Sequence, residues 1–134
     1  KGYCYVHKLY LGDGEEALLR RKEHPEAELL VHPECNPNLQ LNADFIGSTG
    51  QMYNHCRQSN SKKFIIATEV GLIDRLKREM PSKIYLPAME DAVCRQMKLH
   101  TLEKVHNALK KERPVVQVRR KVADQARKGI EQML

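Results

Sequence analysis

The stretch Glu28-Leu29-Leu30-Val31-His32-Pro33-Glu34-Cys35 indicates the fold of this chain. Its first four residues form a short, mostly apolar run typical of a buried strand, which stops at a cluster of ionisable side chains. Pro33 cannot donate to a strand ladder and biases His32 towards an extended conformation, so the strand is predicted to end there. If the backbone stays extended through Pro33, the side chains of His32 and Glu34 point to the same side. The same pattern also fits a strand end whose polar side chains simply face solvent.

Apolar runs and helical patterns alternate along the first two thirds of the chain. Strands are predicted over Tyr3–His7 and over residues 28–31, 44–47, 63–68 and 83–86. Between them, helices are predicted over 15–23, from Ser48 or Thr49 to about Gln58, and from Glu69 to Met80, with a short helix or turn over 39–43. Asp13 or Gly14 is the predicted cap of the first helix. Such alternation is typical of a parallel sheet covered by helices. The predicted fold class is α/β, a three-layer αβα domain with a mostly parallel sheet.

The alternation ends at Pro87. Residues 88–96 show no clear period, a helix is predicted from about Thr101 to before Pro114, and Val115–Val118 is predicted to be extended. A last helix carries an apolar stripe made of Val122, Ala126, Ile130 and Met133. We therefore predict two domains. Residues 1–89 form the α/β domain, and residues 90–134 form a loop and a helical tail that complete a second α/β domain whose N-terminal part is absent from this chain.

The composition favours small anionic ligands. The net charge is +6 and the isoelectric point is about 9.2, which attracts phosphorylated or carboxylated molecules. Basic residues are interspersed with acids, and the chain has no Trp and two Phe, so no aromatic platform for nucleic-acid bases is expected. No apolar run approaches the roughly 20 residues of a membrane span. We predict no nucleic-acid or membrane partner.

The four cysteines, Cys4, Cys35, Cys56 and Cys94, include no CxxC pair. In a chain of this size the pattern argues against a disulfide framework and favours a reducing, cytoplasmic location. The pairs Cys4-x-x-His7 and His32-x-x-Cys35 leave one alternative open, because two thiolates and two imidazoles suit a structural zinc site in an anion-binding α/β module.

The corner Gly47-Ser48-Thr49 joins a predicted strand to a predicted helix. Gly47 permits a tight turn, and Ser48 or Thr49 can cap the helix. Hydroxyls and backbone N–H groups at the positive end of a helix dipole suit a phosphate or carboxylate. An ordinary helix cap fits the same residues.

Five motifs follow one another along the chain: Cys4-Tyr5-Val6-His7, His32-Pro33-Glu34, Ala43-Asp44-Phe45-Ile46-Gly47-Ser48-Thr49, Ile66-Ala67-Thr68-Glu69, and Cys94 with Met97-Lys98. Together they resemble quinolinate synthase, over essentially the whole chain and over the C-terminal half or so of that family. The resemblance implies three similar α/β domains around a [4Fe–4S] cluster that acts as a Lewis acid. It also implies condensation of iminoaspartate with dihydroxyacetone phosphate to quinolinate, in NAD biosynthesis.

The resemblance also implies roles for individual residues. Cys4 and Cys94 are expected to bind the cluster, with a third cysteine supplied by the missing N-terminal half. The expected catalytic residues are His7, His32 and Glu34, and the expected substrate-binding residues are His32, Pro33, Glu34, Ser48 and Thr49. These residue types suit the chemistry, since thiolates bind iron–sulfur clusters and His and Glu transfer protons. In a parallel sheet they would converge at the carboxyl ends of the strands.

Two local departures from the family pattern stand out. Gly50 occupies a position where Ser is usual, and the residues around Cys94 are charged where Cys-Pro is common. Because the third cysteine is missing, the chain alone is expected to be an inactive part of the enzyme.

Overall fold

The computed structural model describes residues 4–8 and 14–134 of the chain, which divides into two compact units, Lys1–Arg95 and Gln96–Leu134. The first unit contains helices α1 (Tyr5–Lys8), α2 (Glu15–Glu23), α3 (Pro37–Leu41), α4 (Thr49–Gln58) and α5 (Gly71–Glu79), and strands β1 (Glu28–Val31), β2 (Phe45–Ile46), β3 (Lys63–Ala67) and β4 (Ile84–Pro87). The second unit contains a 3-10 turn (Met97–Leu99) and helices α6 (Leu102–Lys111) and α7 (Arg120–Glu131). Among the described residues, no helix combines the length and apolar character needed to cross a membrane.

The four strands form one parallel sheet in the order β2-β1-β3-β4. Val31, the last residue of β1, is level with Ile46 of β2 and with Ala67 of β3. The carboxyl ends of these three strands therefore lie side by side at one edge of the sheet. The predicted α/β fold with a parallel sheet is confirmed.

Helices cover both faces of the sheet because the strands are apolar on both sides. One face packs on side chains from α1, α2 and α3, and this layer includes Val6, Ala17, Leu29, Val31, Leu39, Ile65 and Ala67. The other face packs on α4 and α5, and this layer includes Leu30, Met52, Cys56, Phe64, Ile66, Ile73 and Leu76. The first unit thus has helix, sheet and helix layers around a continuous core.

The predicted strand over Tyr3–His7 is wrong for the described residues, because Tyr5–Lys8 form α1. Tyr and Val favour strands, but tertiary contacts override that local preference here. Here Val6 and His7 are both buried, at 0% and 7% exposure. A helical turn lets Val6 enter the core while His7 reaches the sheet edge. Tyr3 lies outside the described residues, as does Asp13, the alternative cap of α2.

Other boundaries differ slightly from the predicted ones. The helix expected from Glu69 begins at Gly71, since the Glu69 carboxylate accepts a hydrogen bond from the Gly71 N–H at 2.7 Å. Strand β4 includes Pro87, which needs no N–H at the end of an edge strand. Val115–Val118 forms no strand. Gly14 caps α2 with φ of 66°, a left-handed conformation that glycine adopts easily.

The second unit is strongly basic. It holds ten of the 23 Lys and Arg residues but only four of the 17 Asp and Glu residues, so the whole net charge of +6 belongs to it. Thr101 caps α6 by accepting a hydrogen bond from the Lys104 N–H. Both helices expose large apolar side chains, including Leu102, Leu109, Val122 and Ile130. That this tail packs on a further domain stays a prediction.

We predict that Lys83→Met destabilises the chain. The Lys83 ammonium donates to the Ser59 carbonyl at 2.7 Å and to the Cys56 carbonyl, both at the C-terminal end of α4. Methionine keeps most of the side-chain volume but loses both charge-assisted bonds, so the free energy of unfolding should fall by about 1.5–3 kcal/mol. Urea unfolding measures this loss. Lys77→Met, at an exposed position of α5, is the matched control, and an equal loss in both variants would contradict the assigned role.

Candidate functional site

The candidate site lies where β1, β2 and β3 end. The backbone turns at once after His32, because the Cys35 N–H donates to the His32 carbonyl at 2.9 Å. The backbone therefore does not stay extended through Pro33, the condition under which His32 and Glu34 were expected to point to the same side. His32 and Glu34 meet nevertheless, because the Glu34 N–H donates to His32 Nδ1 at 3.3 Å. The side-chain amide of Gln40 donates to the carbonyls of Pro33 and Cys35 and holds the turn in place.

His7 reaches the same edge from α1 and connects two of these strand ends. Its Nδ1 lies 2.9 Å from Glu34 Oε2, and its Nε2 lies 2.9 Å from the hydroxyl of Thr68, the residue that follows β3. Thr68 is 1% exposed. The buried hydroxyl of Thr68 holds the His7 imidazole in place from inside the core. The structure thus brings together three predicted site residues, His7, His32 and Glu34.

The hydrogen bonds determine where the protons lie. Hydrogen bonds from His7 and from the backbone N–H of Cys4 lower the pKa of Glu34, so this carboxylate is ionised at neutral pH. His7 Nδ1 therefore carries a proton and donates it to Glu34, which accepts only. Burial and the neighbouring His7 lower the pKa of His32, although Glu34 acts in the opposite direction. Since His32 Nδ1 accepts the Glu34 N–H, the neutral His32 ring carries its proton on Nε2.

The rings of His7 and His32 stack face to face, with centroids 3.9 Å apart and planes within 4°. Together with Glu34 they could each offer a metal-ligand atom, and these atoms lie within 4.8 Å of one another. The lone pairs of two parallel imidazoles, however, point along parallel planes. An ion shared by both would sit about half the ring separation out of each plane, which is poor ligand geometry. The arrangement suits proton transfer better than one shared ion.

The Ser48 corner lies at the same edge, because the Gly47 N–H donates to the Val31 carbonyl at 3.1 Å. Ser48 caps α4 as predicted and forms a capping box with Gln51. Its N–H and hydroxyl are thus engaged within the cap, while Thr49, the first residue of the helix, is exposed. A Cβ on Gly47 would lie 2.7 Å from the Phe45 ring, so any larger residue would displace that ring.

The four cysteines fall into two groups. Cys35 and Cys56 are buried, and burial raises the pKa of each thiol to about 12. The Cys35 thiol donates to the Ala67 carbonyl inside the core. This environment does not favour the alternative zinc site, which needs Cys35 as a thiolate. Cys4 and Cys94 are partly exposed, and both pack against the core layer below α1.

The segments that carry Cys4 and Cys94 are in contact. Tyr5, which follows Cys4, donates its hydroxyl proton to the carbonyl of Val93 at 3.0 Å. Two partly exposed thiols on adjoining segments are the type of donor that an iron–sulfur cluster uses.

Three contacts of the site were not predicted from the sequence: those of Tyr5, Thr68 and Glu69. Thr68 was assigned no role, although it follows β3 as His32 follows β1, and the two strands are in register. The signal available in the sequence was that Thr68 and His32 each follow the apolar run of a predicted parallel strand. The hydroxyl of Tyr5 contacts a segment 88 residues away in the sequence, and a local sequence pattern cannot predict such a contact.

The chain is similar over its whole length to proteins of one known family. The sequence profile of the family described as Quinolinate synthetase A protein matches residues 1–134. The chain is 44% identical over 134 residues to the quinolinate synthase of Methanothermobacter thermautotrophicus, 44% identical over 135 residues to that of Pyrococcus furiosus, and 39% identical over 134 residues to that of a Geobacter species. Each alignment covers 100% of this chain and 43% of the relative, so the chain spans less than half the length of these proteins. The chain belongs to the quinolinate synthetase A family.

Proposed function

We propose that this chain is the C-terminal part of a quinolinate synthase that condenses iminoaspartate with dihydroxyacetone phosphate to quinolinate, in the cytoplasm. The observation that carries the proposal is the convergence of His7, His32 and Glu34 at one sheet edge, next to the backbone of Cys4. This edge is where α/β folds usually bind ligands. The family membership of the chain supports the same reaction.

The proton-transfer groups have distinct roles in this proposal. The ionised Glu34 accepts a proton from a substrate carbon or amine, and the hydrogen bond from His7 stabilises the carboxylate before the transfer and again once the proton has been released. His32 donates its Nε2–H to a substrate oxygen. Thr68 keeps the His7 ring in the orientation that serves Glu34. A condensation that loses water needs both an acceptor and a donor of protons, and this edge offers both.

Cys4 and Cys94 are the proposed ligands of a [4Fe–4S] cluster in this chain. When bound, a cluster with one iron free of a protein ligand supplies a Lewis acid for a substrate oxygen. Cys35 and Cys56 are buried in the two core layers, so we place the third thiolate outside residues 1–134. The proposed partner is therefore the N-terminal half of the same enzyme.

Thr49 and the start of α4 are proposed to hold a phosphate or carboxylate of the substrate. The test uses the complete enzyme, anaerobically reconstituted and supplied with iminoaspartate and dihydroxyacetone phosphate, with quinolinate as the measured product. Thr49→Ala should raise KM by about tenfold and change kcat little, since one hydrogen bond to a charged group is lost. Thr49→Ser, which keeps the hydroxyl, should restore KM. Absence of quinolinate from the reconstituted wild-type enzyme would refute the proposed reaction.

A further inference from the structure

The hydroxyl of Tyr5 binds the backbone on both sides of Cys94. It donates to the Val93 carbonyl at 3.0 Å and accepts from the Arg95 N–H at 2.5 Å. One atom can bond the carbonyl before a residue and the N–H after it only when both groups face the same direction. Parallel strands use this pairing between neighbouring chains. The side chain of Tyr5 thus takes the place of a strand neighbour and fixes one side of the Cys94 backbone.

The other side of the same backbone is held by the beginning of α5. The Cys94 N–H donates to Glu69 Oε1 at 3.3 Å, while Glu69 Oε2 accepts from the Gly71 N–H at 2.7 Å. The Val70 N–H donates to the carbonyl of Ala92 at 3.0 Å. Cys94 therefore sits in a loop fastened from two directions, on one side by α1 and on the other by the turn between β3 and α5.

Tyr5 also belongs to the segment that presents Cys4. The Cys4 N–H is bound by the Glu34 carboxylate at 3.1 Å, so the backbone from Cys4 to Tyr5 is anchored at the sheet edge. From there the Tyr5 side chain extends to the loop that contains Cys94. Hydrogen bonds thus join Glu34 to the Cys4 backbone and Tyr5 to the Cys94 loop. Because Cys4 and Tyr5 are consecutive residues, these contacts connect the two cysteine segments, which are far apart in the sequence.

We propose that Tyr5 is a positioning residue whose hydroxyl sets the direction of the Cys94 thiol relative to Cys4. The two hydrogen bonds of the Tyr5 hydroxyl are a property of this chain, whereas their use in holding a metal cluster rests on the proposed function. Removing the hydroxyl should loosen the Cys94 loop without disturbing the core, because the Tyr5 hydroxyl lies at the surface and Tyr5 is 37% exposed.

The first measurement uses metal-free protein and needs no activity. In Tyr5→Phe, the amide exchange of Arg95 should accelerate about fivefold to tenfold, the effect of losing about one net hydrogen bond from the closed state. The alkylation rate of Cys94 by N-ethylmaleimide, followed by peptide mass spectrometry, should rise by a similar factor. Cys56 should remain unreactive, because it is fully buried in the opposite core layer.

Tyr53→Phe is the matched control. Tyr53 lies on α4, on the other face of the sheet, with its ring against the Arg75 guanidinium. This variant also loses a tyrosine hydroxyl, but it should leave the Arg95 exchange and the Cys94 alkylation unchanged. Unchanged exchange and alkylation in Tyr5→Phe would overturn the proposal. So would simultaneous exposure of Cys56, since the variant would then loosen the whole unit instead of one loop.

The second measurement uses the complete enzyme with its cluster reconstituted. Tyr5→Phe should lose iron to a chelator several times faster than wild type and shift the electron paramagnetic resonance of the reduced cluster, whereas Tyr53→Phe should do neither. A cluster that is identical in spectrum and retention would overturn the link to the metal. If the wild-type enzyme binds no cluster, the proposed function fails, while the exchange and alkylation results still decide the role of the Tyr5 hydroxyl.

Discussion

Glu34→Gln in the complete enzyme is expected to lower turnover by about a hundredfold or more, the range of a positioned acid–base group. The amide keeps the size of the side chain and can still accept the hydrogen bonds from His7 and from the Cys4 N–H. It cannot accept a proton at neutral pH. Quinolinate formation under saturating substrates measures the effect, and the visible absorption of the cluster shows whether the metal is retained.

Glu26→Gln is the matched control for this change. Glu26 is also an ionised carboxylate, its pKa lowered by a hydrogen bond from Lys63, but it is exposed and its partner begins β3, at the opposite edge of the sheet. Turnover of this variant should stay near the wild-type value. Near-normal turnover in Glu34→Gln, with its cluster intact, would show that the carboxylate is not the proton acceptor.

Cys4→Ser and Cys94→Ser are each expected to abolish the cluster in the complete enzyme, whereas Cys56→Ala should retain it. A serine hydroxyl stays protonated at neutral pH and is a poor ligand for cluster iron. Iron and sulfide content after anaerobic reconstitution, together with absorption in the blue, measures cluster loading. We expect loading near zero in the two serine variants.

Cys56 provides the comparison because its thiol is fully buried and its pKa is raised to about 12. Its replacement by Ala removes buried volume, so some stability is lost while the metal ligands are unchanged. Circular dichroism separates the two effects, since Cys4→Ser should stay folded without its cluster. Equal loss of cluster from all three variants would mean that the thiols support folding instead of binding metal.

The elements that were predicted correctly are those whose signal is local. β1 and β3 are apolar on consecutive positions, and the chain carries proline or polar residues immediately after them, so their type and position follow from burial alone. The cap of α4 is equally local, since Ser48 and Gln51 are three residues apart and bond each other.

The parts that were not predicted depend on tertiary contacts. α1 is a helix although Tyr5 and Val6 favour strands, because the contacts of Val6 with the core and of His7 with the sheet edge override that local preference. The meeting of His7 with Glu34 and Thr68 depends on contacts 27 and 61 residues apart in sequence. The motif resemblance grouped His7 with Glu34, but it offered no geometry for their contact, and it left Thr68 without a role.

The stacked imidazoles limit how much positive charge the site can store. Two unit charges about 4 Å apart repel by about 4 kcal/mol at an effective dielectric constant of 20, and the neighbouring His7 accordingly lowers the pKa of His32, after the larger effect of burial. A charge on the His7 ring therefore makes protonation of the stacked His32 ring less favourable. The proposed proton donor, His32, thus gives up its proton more readily when the ring beside it is charged.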